Sequence, residues 1–407
     1  MAQGRGFEPR HRVIDLLAFQ ASPFSHLGIP ATPILFYHSS LTLNRKETDC
    51  MYVTYKYLLR PNKYQRKMIE LTIECSNIVR NLCISNNEQE IAKRSAKRLV
   101  DRYMAENPKL KECDYSALMN ALFDLTNEDV KYISNRNTFT TSYSDFLRER
   151  FPMTDNRVFF PKIGWIPYKK HREIPDLKTI FKMIISIDKL GKYHLYLYCR
   201  TDEAKNVPLD INNSIGLDYS STHFIVDSNG TKYDIPHFYR DSEKRKKQLL
   251  KEMERKTPGS TGYKEVERKV LKLERSTSNQ RRDTLHKLST QLAEKYDYIF
   301  VETLSMKSIS ETGHLSKATY DNGYNMFLEM LEYKMRKRGK ILYKIDKWFP
   351  SSKTCHKCGY IYKDMKMTTR AWVCPQCMTE LDRDINAAIN IKEEGKKKIS
   401  AGRAEHS

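Results

Sequence analysis

Near the C-terminus, Cys355, Cys358, Cys374 and Cys377 fall in the spacing C-x2-C-x15-C-x2-C. Two residues between cysteines let one turn aim both thiolates at a single ion, and four thiolates complete a closed tetrahedral zinc shell. Gly359, directly after the first pair, permits the tight turn this needs. A shell of four sulfurs leaves no open coordination position, so the zinc is expected to be structural. His356 lies inside the first pair and reads as a surface residue able to touch phosphate, not as a ligand. Directly after the second pair comes the stretch LDRDINAAIN, residues 381–390. A metal knuckle set against an acidic, alanine-rich helix constrains the fold more than any other feature of the chain.

On that helix Asp384 shares a face with Ala387, Ala388 and Ile391, at i+3, i+4 and i+7. The face is small and apolar, so it is expected to pack on a sheet, with Asp384 aimed at the sheet edge. Asp382 points elsewhere, as a candidate N-cap, and Asn386 also faces away from Asp384. An inward aspartate with no basic partner local in the sequence calls for a cation. Two further acids end apolar strands: Asp218 closes SIGLD and Glu302 closes YIFVE. Each alone is an ordinary strand-end acid. Together the three come from strand, strand and helix, in the order of the ribonuclease H arrangement. Convergent carboxylates of this kind hold Mg2+ or Mn2+ for two-metal phosphodiester cleavage.

The chain of 407 residues suits two or three domains. Lys and Arg outnumber Asp and Glu by 71 to 50, a formal charge of +21 that points to a polyanionic partner. Of nine cysteines, the five outside the knuckle have no regular spacing, which fits a reduced intracellular protein and not a disulfide scaffold. No run approaches the roughly 18 apolar residues of a membrane span, and no signal core follows the N-terminus. The expected setting is cytoplasmic, nucleoid-associated and bacterial in type, with no membrane and no small-molecule substrate. There is no internal repeat.

Residues 1–50 lack sustained periodicity and read as a poorly ordered extension, with Met51 as a possible second start. The pattern then sharpens into a strand over 53–59 and mostly helix over 63–150. Residues 158–200 return to strand periodicity, with a turn at Leu190-Gly191. The strand at 53–59 is expected to join that sheet, with the helices as an insertion. Three short strands follow over 211–236, bounded by the Asp-Ser-Asn-Gly turn at 227–230. Two long basic helices, at about 238–256 and 261–296, break at Thr257-Pro258-Gly259-Ser260. A strand ending at Glu302, a helix at 322–338, the strand KILYKID, the knuckle and the final helix complete the chain, ahead of a basic low-complexity tail.

In that order GLDYSS, FVETL, WFPSSKTCHKCGY and LDRDINAAINI resemble the TnpB (OrfB) proteins of insertion-sequence transposons, which are related to compact type V CRISPR effectors. The resemblance covers about residues 51–395 and is strongest over 211–395. It implies an α/β multidomain protein. A wedge-type β-barrel is expected over 51–62 and 151–210, interrupted by a helical recognition domain over 63–150. An RNase H-like (RuvC) nuclease is expected over 211–350 and 381–395, with an inserted zinc ribbon over 351–380 and a basic tail over 396–407. It also implies an RNA-guided DNA endonuclease, with a transposon-derived guide RNA and target double-stranded DNA as partners. Asp218, Glu302 and Asp384 become the Mg2+ or Mn2+ triad, and the four cysteines the Zn2+ ligands. One departure stands in the first motif, where many members carry a glycine two residues after the first aspartate and this chain has Ser220.

Basic surface candidates are Arg281, Arg282 and Lys287 ahead of the Glu302 strand, Lys169 and Lys170 beside Trp165 and Tyr168, and Lys353 and Arg370 in the knuckle. In the knuckle, Lys363, Lys366 and Trp372 add to Arg370 as candidate nucleic-acid contacts. Trp165 fits a barrel core at least as well as an RNA-stacking role. Three other classes remain open: a nuclease-inactive RNA-guided repressor, a transposase acting in strand transfer, and a plain zinc-ribbon transcription factor. The three intact acids weigh against the first and the last.

Overall fold

The computed structural model describes residues 50–125, 137–142, 153–173, 179–202, 207–220, 222–236, 238–303, 323–366 and 369–404. The extension expected over 1–50 lies outside them except for Cys50, which opens strand β1 (Cys50–Leu59). Pro61 and Asn62 end β1 and start helix α1 (Lys63–Ser85). The Asn62 side chain accepts from the Gln65 N–H at 2.9 Å, and the Gln65 side chain accepts from the Asn62 N–H at 3.0 Å. This reciprocal box satisfies donors that a helix start otherwise leaves open. Helices α2 (Gln89–Glu106) and α3 (Tyr115–Phe123) pack on α1 around Val79, Val100, Tyr103, Leu118 and Leu122.

The first sheet adds β2 (Thr138–Ser142), β3 (Arg157–Phe160), β4 (Gly164–Lys169), β5 (Ile180–Ile187) and β6 (Tyr193–Asp202), in the order β2-β5-β6-β1-β4-β3. Strand β1 lies at its centre, so the helices are an insertion, as the periodicity suggested. Two expectations change. Residues Thr138–Ser142 were expected to be helical but form an edge strand on β5, because the Thr-rich stretch there has β-branched side chains that suit a pleated surface. Among the described residues the six strands make an open sheet, not a closed barrel.

The second sheet contains β7 (Ser214–Tyr219), β8 (Ile225–Asp227), β9 (Lys232–Tyr233), β10 (Tyr298–Glu302) and β11 (Ile341–Ile345). Its order is β11-β10-β7-β8-β9, with β7, β10 and β11 parallel and β8 and β9 antiparallel to their neighbours. The parallel core strands β7 and β10 are covered on both faces. Helices α4 (Phe238–Glu254) and α5 (Thr261–Lys295) form a hairpin, and α5 with α6 (Tyr324–Lys337) covers one face. That face buries Ile215, Leu217, Ile299, Val301, Leu292 and Phe327. Lys334 braces α6 on α5: its buried ammonium donates to the His286 carbonyl at 2.6 Å and to the Ser289 and Thr290 hydroxyls at 2.7 Å each.

The opposite face is covered by α7 (Arg383–Ala404), whose Ile391 packs against Tyr298 and Phe300. The helix extends through most of the segment expected as a low-complexity tail, because Ile399 packs into this cluster and Lys398 pairs with Glu394 one turn back. Approach is close enough to require glycine on each side. A methyl group on Gly216 would lie 2.1 Å from the Ala388 carbonyl oxygen, and one on Gly395 would lie 2.0 Å from the Phe300 ring.

Gly216→Ala is therefore expected to lower stability by about 2–3 kcal/mol or more through overpacking, measured by urea unfolding. Gly262→Ala serves as the control, since a methyl there meets only Lys256 Cδ at 3.7 Å.

Candidate active site and zinc centre

Side chains alternate between the faces of a strand. Ile215 and Leu217 point to the α5–α6 side, so Gly216 and Asp218 point to α7. On β10, Ile299 and Val301 face α5–α6, and Phe300 and Glu302 face α7. Leu217 pairs with Val301 in the parallel register, which sets Asp218 and Glu302 at adjacent strand ends. Asp384 lies in the first turn of α7, over the same edge. Ala387, Ala388 and Ile391 are fully buried beneath it, as the helical spacing predicts.

These acids sense one another. Burial pushes the Asp218 carboxyl well above the usual carboxylate range, and the charges of Asp384 and Glu302 push it further. Arg383 and Arg370 pull in the other direction. Burial alone lifts Glu302 to about 7. Asp384 accepts a hydrogen bond from the Ser220 hydroxyl at 2.7 Å, so the serine that replaces the family's glycine orients the third acid. Arg370 and Arg383 lie 3.7 and 3.9 Å from its oxygens. The expectation that Asp384 has no basic partner is thus corrected: one partner is its sequence neighbour and the other comes from the ribbon. Asp382 caps the helix, accepting from the Asp384 and Ile385 N–H groups at 3.0 and 3.1 Å.

The fully buried Tyr324 was not foreseen. Its hydroxyl finds no hydrogen-bond partner among the described residues, and burial with the nearby Asp218 and Glu302 charges holds it firmly protonated. No periodicity distinguishes a site tyrosine from a core one.

Among the described residues, the four cysteines are the only group of three or more His, Cys, Asp or Glu whose ligand atoms all lie within 4.8 Å of one another. Cys355 and Cys377 sulfurs are 3.6 Å apart, and Cys358 and Cys374 sulfurs 3.5 Å apart. Zinc–sulfur bonds of about 2.3 Å put tetrahedral sulfurs about 3.8 Å apart, so the cluster fits a structural zinc. The Thr379 hydroxyl and backbone N–H lower the Cys377 thiol to about 6, favouring the thiolate that zinc binds. By the same measure the three carboxylates spread wider than a nest for one ion.

Strands β12 (Ala371–Val373) and β13 (Glu380–Asp382) carry the second cysteine pair and run straight into α7. Asn386 accepts from the His356 N–H at 3.0 Å, lies 3.0 Å from its ring Nδ1, and donates to the Thr354 carbonyl at 2.8 Å. Asn390, one turn on, donates to the Ser351 carbonyl at 2.8 Å and the Thr354 carbonyl at 2.6 Å. His356 is exposed, as expected of a surface residue, and is also held against α7 by Asn386. Trp372 is 7% exposed and packs on Tyr362 within the ribbon core, which corrects its expectation as a nucleic-acid contact.

The basic candidates divide. Arg281 is 8% exposed, packed under Gly323 at the start of α6, and is not on the surface. Lys287 is exposed and paired with Asp283 at 2.6 Å. Lys170 pairs with Asp155 and Glu173 at 3.3 and 3.2 Å, while Lys169 and Lys353 are exposed. Trp165 is 40% exposed, with its edge toward Phe159, and so lies outside the sheet core. Arg282 belongs to a concentration of cations that sequence reasoning missed. Burial, with the Arg282 and Arg275 charges, lowers the Lys56 ammonium to about 8. Burial, Lys334 and Arg282 bring His286 down to about 4. Arg172, 4.3 Å over the Tyr55 ring, also acts on His286 and Tyr333. Like charges crowded this way form an anion-attracting surface.

The described residues form a multidomain α/β protein with an acidic strand-edge site and a four-cysteine ribbon. Residues 197–312 match the family OrfB_IS605, described as "Probable transposase", and residues 324–391 match the Cas12f1-like TNB domain. A Streptomyces pristinaespiralis protein named "Putative RNA-guided DNA endonuclease" is 26% identical over 359 residues, 84% of this chain and 89% of that protein. The "Putative RNA-guided DNA endonuclease InsQ" of Escherichia coli (strain K12) is 23% identical over 381 residues, 86% of this chain and 93% of that protein. A solved Cas12f1–sgRNA–target DNA complex aligns at a TM-score of 0.49 and 14% identity, over 81% of each chain. Over these stretches the chain is similar to the TnpB (OrfB) proteins of IS605-type elements. No helix among the described residues is long and apolar enough to cross a membrane.

Two measurements test the site. Because Glu302 in the folded chain keeps its proton up to about 7 while the unfolded carboxyl releases it near 4.5, metal-free stability falls as pH rises through that window. Asp218 adds in the same direction. Asp218→Asn is expected to raise the metal-free melting temperature by a few degrees at pH 8, less at pH 5, and to abolish stabilisation by Mg2+ or Mn2+. For the ribbon, elemental analysis is expected to find one zinc per chain. Cys374→Ser is expected to lose it and open the segment 351–382 to protease.

Proposed function

We propose that this chain is an RNA-guided DNA endonuclease whose carboxylates Asp218, Glu302 and Asp384 hold a pair of Mg2+ or Mn2+ ions. The observation that carries the proposal is the convergence of three acids, from two parallel strand ends and one helix start, on one face of the second sheet. Its strand order β11-β10-β7-β8-β9, with the first acid on the central strand, supports an RNase H-like (RuvC) assignment. The raised Asp218 carboxyl supports it too, since a site that strains its own charges is built for a cation. When bound, the ions supply an activated water and stabilise the leaving 3′ oxygen of an in-line phosphodiester hydrolysis.

The protein's own residues do the rest. Ser220 and Asp382 orient Asp384, directly and through the helix start. Arg370, at the ribbon's edge of the site, offers its guanidinium to a phosphate oxygen once cations neutralise Asp384. The six-stranded sheet is assigned as the wedge domain, its helices as the recognition domain, and the cysteine unit as the zinc ribbon. Lys56, Arg172, Arg275 and Arg282 supply a basic surface suited to a guide–target duplex, which such proteins hold by its backbone. The names of the relatives support guide RNA and DNA as partners.

The test is to purify the full chain with its co-purifying RNA, sequence that RNA, and assay cleavage of a matched plasmid with Mg2+. Cleavage that needs the RNA and the divalent ion is expected. Asp218→Asn, Glu302→Gln and Asp384→Asn are each expected to slow it by more than about 100-fold, the upper end of the cost of disturbing a metal's supporting residues. Guided binding without cutting would instead favour the nuclease-inactive repressor.

A further inference from the structure

Trp348 is the most exposed large apolar side chain among the described residues, at 82%. The exposure is built in. The Trp348 N–H donates to Asp346 Oδ1 at 2.7 Å, so the turn after β11 is closed by a side chain. On the far side Phe349 packs into the cluster of Phe300, Ile345 and Ile391. Ser351 is 3% exposed, and its carbonyl is held by Asn390. An indole displayed on a turn pinned at both ends is presented outward by the fold; it has not strayed from a core. Displaying a tryptophan to water forgoes the free energy of burying it, which calls for a compensating role.

Its place indicates the role. Strands β7, β10 and β11 are parallel, so they end at one edge, and Ile345 pairs with Glu302. Trp348 follows three residues later, no more than about 10 Å of chain. Lys347 sits beside the ring, its ammonium 4.9 Å from the centroid, and Lys353 is exposed just beyond. An aromatic plane with flanking cations is the combination that binds unpaired nucleic acid: the base stacks and the backbone is neutralised. A paired base has no free face to offer.

We infer that Trp348 is a stacking platform for an unpaired base of the DNA strand entering the carboxylate edge. This rests on the endonuclease reading above, and the test separates the two. Affinity of a 12-nucleotide single-stranded DNA for the zinc-loaded full chain is measured by fluorescence anisotropy without divalent ions, so that no cutting is needed. Trp348→Ala is expected to weaken binding about 5- to 150-fold, from the usual worth of one stacked base. Trp348→Phe is expected to recover most of it. An oligonucleotide of abasic sites is expected to bind the wild type and Trp348→Ala alike. Unchanged affinity in Trp348→Ala, or an equal loss on the abasic strand, overturns the inference. So does a loss seen with RNA of the same sequence but not with DNA. Absence of guided cleavage by a wild type that still shows the Trp348 effect would overturn the endonuclease reading and leave the platform standing.

Discussion

The contact between α7 and the strands β7 and β10 is the constraint on which the site depends. Only hydrogen occupies the gap at Gly216 and at Gly395, so the helix axis lies unusually near the sheet. That nearness carries Asp384 over the strand ends where Asp218 and Glu302 stop. It also buries Asp218 and Asp384, while Glu302 is half-buried. Desolvation and mutual repulsion both favour the protonated acid, which explains why Asp218 is lifted so far. Packing energy spent in docking the helix is thus the source of the electrostatic strain, and Arg370 and Arg383 relieve only part of it.

The ribbon has a mechanical reason to stand where it does. A helix docked by small residues gains little from its side chains at its first turn, where Asp384 sits. Asn386 and Asn390, one turn apart, tie that end to the Ser351–Thr354 loop through three hydrogen bonds to carbonyls. The loop is in turn held by the first cysteine pair, and the second pair runs through β13 into Asp382, the cap. Both ends of the metal unit therefore terminate on the same helix turn. A closed four-sulfur shell supplies rigidity that a segment this small has no core large enough to provide.

What was legible in the sequence was what is local. Cysteine spacing, the apolar runs ending in an acid, and the Ala387-Ala388-Ile391 face all encode their geometry within a few residues. What depended on tertiary packing was not legible. Arg281 and Arg282 are indistinguishable as sequence, but the helix turns one under Gly323 and the other toward Lys56. Trp372 and Trp348 both flank the knuckle, and only the fold buries the first and displays the second. The tie from His356 to α7 was not legible because its partner, Asn386, lies 30 residues away. The expected tail is helical because it meets an apolar cluster that composition does not reveal.

The two electrostatic halves of the molecule make sense only together. In the proposed reading, the cations Lys56, Arg172, Arg275 and Arg282 would draw a polyanion, whatever its sequence. The carboxylate edge, left to itself, repels the same backbone. In the proposed reading, divalent cations bound there would reverse the sign of that edge. A phosphate would then be held by the basic surface at a distance and by the loaded carboxylates at the point of reaction. Arg370 and Arg383, already within 4 Å of Asp384, would gain a second anion as the first is claimed by metal. A chain of net charge +21 thus sets Asp218, Glu302 and Asp384 together at one strand edge, where the proposed cation and phosphate would meet.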